Sequence, residues 1–473
     1  MYLFEFRLGR LGLKEVIEVN NTAFLEQVQN NVTVNACKLC TPLGACLAFK
    51  GIQGAFPYLH GSQGCATYIR RYMISHFKEP MDIGSSSISE TGAIFGGGRN
   101  LHIGLLNVIR QYQPELIGVA TTCLSETIGD DIRLLIKQFT AGAKEIALPP
   151  MVSVSTPSYS GTHLHGYRAA IRATVDSLAL GGPRQEQINI IPGWVSPADL
   201  RHLKEILTDF QLNYVMVPDY SETLDGPNWT EYQKIPQGGT PVSQIRSMGR
   251  SRVTLELGRG IPGKESTGNL LWQKYKIPFY KEGLPIGLNE TDHLLKKLTQ
   301  IAGCDLPDKY REERGRLIDS YVDGHKYLFE KKAVVYGEPD LVVGLASFLT
   351  EIGVVPVLCA TGIEDGSLGE IIGAMTPALK SRITVKEGVD FDQITELAKK
   401  LQPDLIIGNS KGYRLARQLE IPLIRVGFPI HDRLGGQRIL TLGYRGAQFL
   451  FDEIVNAVIA QKQEQSPVGY SYM

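Results

Sequence analysis

The chain has 473 residues, too many for one ordinary core, so two to four folding units are expected. Lys plus Arg equals Asp plus Glu at 49 each, which excludes a global electrostatic footprint for nucleic acid. Seven cysteines are an odd number, few for the length, and five of them lie between Cys37 and Cys123. That pattern argues against a secreted disulfide framework and for free thiols in a reducing cytoplasm.

No continuous apolar run reaches membrane-spanning length. The opening M-Y-L-F-E-F-R-L-G-R-L-G lacks a hydrophobic run behind a basic region and is not read as a signal peptide. Residues 1 to about 30 read as a short lead-in. From 31 to about 170 the pattern is α/β with long loops. Ile117 to Ala120 form a short apolar strand, and Thr121-Thr122-Cys123 follows at its C-terminal end. A helix comes next, capped by Asp130 or Asp131, with Ile132, Leu135, Ile136 and Phe139 as its apolar stripe. Strand, loop and helix in that order are the address of a ligand in an open parallel sheet.

A second block opens at Gln187. I-N-I-I-P-G-W runs as a strand into a Pro-Gly stop, and Ser196 to Asp199 start a helix with Pro197 in its first turn. L-N-Y-V-M-V-P-D and V-T-L-E-L-G are further strands, and a long helix ends near Gly303. The charged stretch R-E-E-R-G-R-L-I-D-S-Y reads as a helical linker. In the third block, K-A-V-V-Y-G-E-P-D, G-V-V-P-V-L-C-A-T-G, D-L-I-I-G-N-S and P-L-I-R-V-G-F-P-I each contain a strand. This alternation predicts α/β architecture: three domains with parallel sheets flanked by helices, spanning residues 1–170, 171–330 and 331–473. The first carries the cysteine loops and the last a polar, then aromatic, tail. No dinucleotide fingerprint is present, and G-G-G-R-N at Gly96 to Asn100 lacks the Lys and Ser/Thr of a phosphate-binding loop.

Cys37 and Cys40 form a C-x-x-C, a spacing that suits zinc, an iron–sulfur cluster or a redox pair. No second close pair completes a zinc knuckle. A redox pair should open a helix, whereas Pro42 and Gly44 point to an irregular start. Cys65 follows Gly64 in H-G-S-Q-G-C, where small residues let backbone amides approach sulfide. Cys123 ends a strand. Three separated loop cysteines meeting at one point fit iron–sulfur ligation, while Cys46, Cys304 and Cys359 read as ordinary. Gly44, Gly61 and Gly64 are expected to allow close backbone approach.

Among other polar residues, His163 and His165 share a face if the segment is extended; they could make a metal site, but packing or supporting roles are the expectation. His60 reads as a loop-fixing hydrogen bonder. Glu126, Asp130 and Asp131 could form an acid group, but helix capping explains the two aspartates more simply. Ser62 and Ser158 lack the G-x-S-x-G elbow of a nucleophile.

Several long segments carry a resemblance: H-G-S-Q-G-C, S-H-F-K-E-P, T-T-C-L-S-E-T-I-G-D-D, T-P-S-Y-S-G-T-H, I-P-G-W-V-S-P-A-D, D-G-P-N-W-T-E-Y and R-V-G-F-P-I-H-D-R. Together they resemble the nitrogenase component 1 family, in family order, from about residue 30 to about 455. Within that family the chain resembles the beta-type side. Asp432 to Gly446, D-R-L-G-G-Q-R-I-L-T-L-G-Y-R-G, looks most like the NifN branch, the beta-like half of the NifEN scaffold. The resemblance places Cys40, Cys65 and Cys123 on the cluster-ligand cysteines and Ser158 on a serine that joins them. NifN proteins keep fewer of these cysteines, so the full set departs from that branch.

The function expected from this resemblance is a beta-like subunit of the scaffold on which the iron–molybdenum cofactor is matured. It would share an iron–sulfur cluster with a NifE-like alpha-type partner in an α2β2 complex. A NifH-type iron protein would dock, and a donor such as NifB would supply the cofactor precursor. The alternative is a catalytic molybdenum–iron or vanadium–iron beta chain carrying half of a P cluster, or a related reductase subunit. The shared cluster is of 4Fe-4S type in the first case and a P cluster in the second.

Overall fold

The computed structural model describes residues 36–143 and 147–468. The lead-in expected at residues 1 to 30 and the last aromatic residues of the tail lie outside the described residues. The strands fall into three sheets, and every strand pair is parallel. The three-sheet α/β expectation is therefore met.

The first sheet has the order β2-β1-β3-β4, with β1 Ala55–His60, β2 Gly84–Ser85, β3 Leu116–Thr121 and β4 Met151–Val154. The second has the order β6-β5-β7-β8, with β5 Gln185–Ile191, β6 Tyr214–Met216, β7 Ser251–Leu257 and β8 Phe279–Glu282. The third has the order β11-β10-β9-β12-β13, with β9 Lys332–Tyr336, β10 Val355–Ala360, β11 Thr384–Lys386, β12 Leu405–Gly408 and β13 Leu423–Arg425. Central strands such as β3, β10 and β12 are buried along their whole length. Near-continuous apolar sequence is what a parallel sheet covered on both faces demands.

Seven helices belong to the N-terminal region among the described residues. They are α1 Thr41–Lys50, α2 Gln63–Phe77, α3 Glu90–Phe95, α4 Gly98–Tyr112, α5 Cys123–Thr127, α6 Ile132–Gly142 and α7 His163–Leu178. Every residue of α1 is buried. It crosses α7 at two glycines. A Cβ on Gly44 would sit 1.7 Å from the His163 carbonyl oxygen, and one on Gly166 would sit 1.9 Å from that of Thr41. The same helix lies on β3, where a Cβ on Gly118 would strike the Phe49 ring at 2.2 Å. These contacts fix the start of α1, which carries Cys40, against the start of α7.

One sequence expectation changes here, and one strand has no counterpart in the sequence reading. The charged stretch read as a helical linker is helical, but it lies in a packed helix, Asp308–Leu328, which buries Tyr310, Leu317, Gly324 and Leu328. It packs on the C-terminal helix Gly443–Glu464 so closely that a Cβ on Gly324 would meet the Phe451 ring at 2.4 Å. Charge on the outer face hid an apolar inner one. Strand β1 went unread because Pro57 interrupts it. Pro57 lies opposite Gly118 of β3, but β2 meets β1 only at Tyr58 and Leu59. One flank at Pro57 is thus free of a ladder that a missing N–H would break.

One apolar core runs through all three sheets, from Leu43 and Phe49 through Leu271 to Leu345 and Leu450. Arg168 of α7 adds a polar staple. Its guanidinium reaches Glu265 at 3.2 Å, Asp340 at 3.2 Å and Asp365 at 3.4 Å, from the second and third sheet regions. Among the described residues no helix is long and apolar enough to cross a membrane.

Candidate functional site: the cysteine loops

The site grows from the C-terminal ends of two neighbouring strands. β1 and β3 run in register, with His60 opposite Thr121. Each then turns into a helix. Cys65 lies in the first turn of α2, and Cys123 is the first residue of α5. The two turns interlock. Thr122 N–H donates to the His60 carbonyl at 3.1 Å, as does Ser125 Oγ at 2.6 Å. A Cβ on Gly61 would sit 2.0 Å from Thr122 Oγ1. His60 is fully buried, with Nδ1 at 3.0 Å from Ser86 Oγ and Nε2 at 2.9 Å from Asp130 Oδ2. Its loop-fixing role is the one expected.

The third thiol arrives from a different direction. Cys40 is the N-cap residue of α1. The peptides on both sides of it are held by the loop between β4 and α7. Thr41 N–H donates to Ser158 Oγ at 3.2 Å, and Leu39 N–H donates to His163 Nδ1 at 3.2 Å. His163 N–H returns a bond to the Leu39 carbonyl at 3.0 Å. The same loop reaches the second cysteine, because Ser158 N–H donates to Cys123 Sγ at 3.2 Å. Thr156 fastens it to β3 through two bonds to Thr121. Ser62 Oγ lies 3.5 Å from Cys65 Sγ.

Burial separates these thiols from Cys46 and Cys359 but not from Cys37, which is half-buried, or Cys304, which is exposed. Cys40 is exposed, while Cys65 and Cys123 are half-buried. Cys46 and Cys359 are buried, and burial pushes both thiols up to about 12. Cys37 meets solvent in part, yet burial, reinforced by the Glu338 carboxylate, raises its thiol to about 12 as well. Among the described residues no group of three or more His, Cys, Asp and Glu side chains is arranged to hold a metal ion.

Several residues sit otherwise than the sequence implied. The C-x-x-C does open a helix. Pro42 is accommodated in the first turn of α1, where its missing N–H is no loss, and Gly44 serves the crossing with α7. His163 and His165 are not in an extended segment. They begin α7, and their rings diverge: His163 Nε2 lies 3.1 Å from Glu338 Oε1, and His165 Nε2 lies 3.2 Å from Asp365 Oδ1. Asp131 caps α6, whereas Asp130 instead holds His60 and Gly97 N–H. Glu126 accepts from Thr121 and Ser155 hydroxyls. Gly64 does not serve close approach within this chain, since a Cβ there would meet only Ser62 Oγ at 4.0 Å. Glu338 and Lys411 escaped notice in the sequence. Lys411 Nζ donates to the Ala36 carbonyl at 2.8 Å, so both brace the arm that leads to Cys40. Nothing local marks either one, because their partners lie far away in sequence.

Cysteine-bearing turns at the strand ends of a three-sheet parallel α/β chain define a class of protein. The chain belongs to the family of nitrogenase component 1 type oxidoreductases, whose model matches residues 40–459. It is 37% identical over 428 residues to the nitrogenase molybdenum-iron protein beta chain of Clostridium pasteurianum, covering 90% of this chain and 93% of that one. It is 33% identical over 439 residues to the nitrogenase iron-molybdenum cofactor biosynthesis protein NifN of Bradyrhizobium diazoefficiens, covering 91% and 90%. The solved structure described as nitrogenase Cp1 at pH 6.5 superposes with a TM-score of 0.89 at 36% identity, covering 93% of this chain and 97% of that one.

Proposed function

We propose that this chain is the beta-type subunit of a nitrogenase component 1 assembly. In this reading Cys40, Cys65 and Cys123, with Ser158 beside them, supply one half of an iron–sulfur cluster shared with an alpha-type partner in an α2β2 complex. The observation that carries it is the double role of Ser158, which ties the Cys40 arm to the Cys123 turn. The donor set suits the group. Thiolates select soft metals, and an amide aimed at sulfur favours its charged form. A bound cluster would supply one-electron transfer. The chain's own part is to hold the thiols on three helix starts and to bury their supporting loops. Exposed apolar side chains around these turns, among them Tyr68, Ile94, Phe95 and Tyr159, offer a surface for the partner to cover.

The catalytic reading, a molybdenum–iron beta chain fed with electrons by a NifH-type iron protein, leads. Beta chains from Clostridium, Methanothermobacter and Azotobacter each match at least 90% of this chain. A second reading keeps the expectation from sequence, a NifN-type scaffold subunit with a NifE-like partner and a NifB-type precursor donor. Its support is the NifN relative and the segment Asp432 to Gly446. Purification with the alpha-type partner decides between them. Iron-protein-dependent acetylene reduction by the purified complex supports the catalytic subunit. Activation of cofactor-deficient component 1, without reduction activity of its own, supports the scaffold. A complex that holds no iron refutes both.

A further inference from the structure

We propose that His163 is a positioning residue that sets the Cys40 thiol through the peptide of Leu39. This rests on the cluster-holding reading above and goes beyond it by assigning a residue outside the thiol set. The geometry is specific. His163 and Leu39 exchange two hydrogen bonds, His163 N–H to the Leu39 carbonyl at 3.0 Å and Leu39 N–H to His163 Nδ1 at 3.2 Å. Because Nδ1 accepts from a peptide N–H, the ring proton sits on Nε2. Nε2–H then donates to Glu338 Oε1 at 3.1 Å. Glu338 is the N-cap residue of the helix Pro339–Glu351 in the third sheet region. The ring is buried, with its edge against Trp194 at 5.0 Å between centroids.

The consequence follows from position. Cys40 is exposed and its side chain makes no hydrogen bond as a cap. Its direction is therefore set by the two peptides that flank it. Ser158 fixes the one after it, His163 N–H holds the one before it at the Leu39 carbonyl, and the His163 ring steadies the next peptide back through Leu39 N–H. The carboxylate of Glu338 acts by locking the tautomer, so that Nδ1 always presents a lone pair to Leu39. A metal-ligating histidine uses the same device when a second partner fixes its ring. Here the fixed atom is a backbone amide one residue from the thiol.

Two substitutions separate positioning from simple filling of space. In His163→Asn the side-chain oxygen can stand where Nδ1 stands and still accept from Leu39. In His163→Gln the amide nitrogen can stand where Nε2 stands and keep Glu338, but the acceptor for Leu39 is gone. The full chain, co-purified with its partner from iron-depleted cells, is treated with iodoacetamide, and Cys40 labelling is followed by mass spectrometry with Cys65 as the internal reference. His163→Gln is expected to label Cys40 roughly fivefold faster relative to Cys65, as loss of one hydrogen bond implies, with His163→Asn close to the parent. Iron content of the same variants from replete cells should fall for Gln and hold for Asn. If both variants label alike, whether fast or at the parental rate, His163 does not position Cys40. If the parental complex from replete cells holds no iron, the cluster reading fails, while the labelling ratio still decides the positioning role.

Discussion

Ser158 and Cys123 are joined by a backbone N–H to sulfur hydrogen bond of 3.2 Å, and the Ser158 hydroxyl at the same time accepts from Thr41 N–H at 3.2 Å. One residue thereby couples two cysteine-bearing helix starts that come from distant parts of the chain. Neither bond is available to a chain in which the loop before α7 is displaced. The thiols, the loop and the start of α7 form one unit.

The cysteines divide into two sets with different expected responses. Cys65→Ala or Cys123→Ala in the purified complex should remove most of the iron while leaving the melting temperature of the iron-free chain nearly unchanged, since both side chains are partly exposed. Cys46→Ala and Cys359→Ala should keep the iron and cost stability instead, about 1 kcal/mol, from the small cavity each leaves. Metal analysis beside thermal unfolding tests both halves of this contrast.

Glycine at the α1–α7 crossing should be irreplaceable. Gly44→Ala drives a methyl to 1.7 Å from the His163 carbonyl oxygen, backbone that cannot turn aside. A loss of about 1–3 kcal/mol or more is expected, read as a lower urea midpoint. Gly64→Ala serves as the control. It lies in α2 with open space around it, so the iron-free chain should be unchanged or more stable by up to about 1 kcal/mol.

Arg168 joins carboxylates from the regions of the second and third sheets. Arg168→Met would keep the stem and leave Glu265, Asp340 and Asp365 without their shared cation in a largely buried site. Breaking a buried pair by removing one partner costs about 3–5 kcal/mol. Unfolding followed by tryptophan fluorescence should show that loss. A change under about 1 kcal/mol would mean that the three acids find water or protons instead.

Acid should weaken the fold through His76. Its ring is buried, Nδ1 accepts from Ile430 N–H at 2.9 Å, and burial drives its pKa from the ordinary 6.5 to about 3. The folded state therefore binds fewer protons than the unfolded chain below about pH 6.5. Stability supplied by the neutral ring is complete above that pH and is lost as pH falls toward 3. Between pH 7 and pH 5 the loss is about 2 kcal/mol. His76→Asn keeps an acceptor and removes the titration, so the difference in urea stability between parent and variant should shrink by that amount across the same interval.

Much of this molecule is legible locally. Apolar runs flanked by turn residues marked most of the strands, Ser196 and Gly303 marked helix ends, and the crowded cysteines marked the site, because each signal is written within a few residues. Strand β1 was hidden by Pro57, and the buried face of the helix Asp308–Leu328 by its charged outer one, since both are settled by what packs against them. Of the groups that brace Cys40, the resemblance named Ser158 alone. Lys411, His163 and Ser158 reach its arm, and Glu338 reaches His163, across long stretches of sequence, and hydrogen bonds of that kind have no periodicity. The residue types thus determined which chemistry the chain can do. Only the packed structure decided which thiols are held open to solvent and which are sealed in the core, because burial is a property of the packed whole.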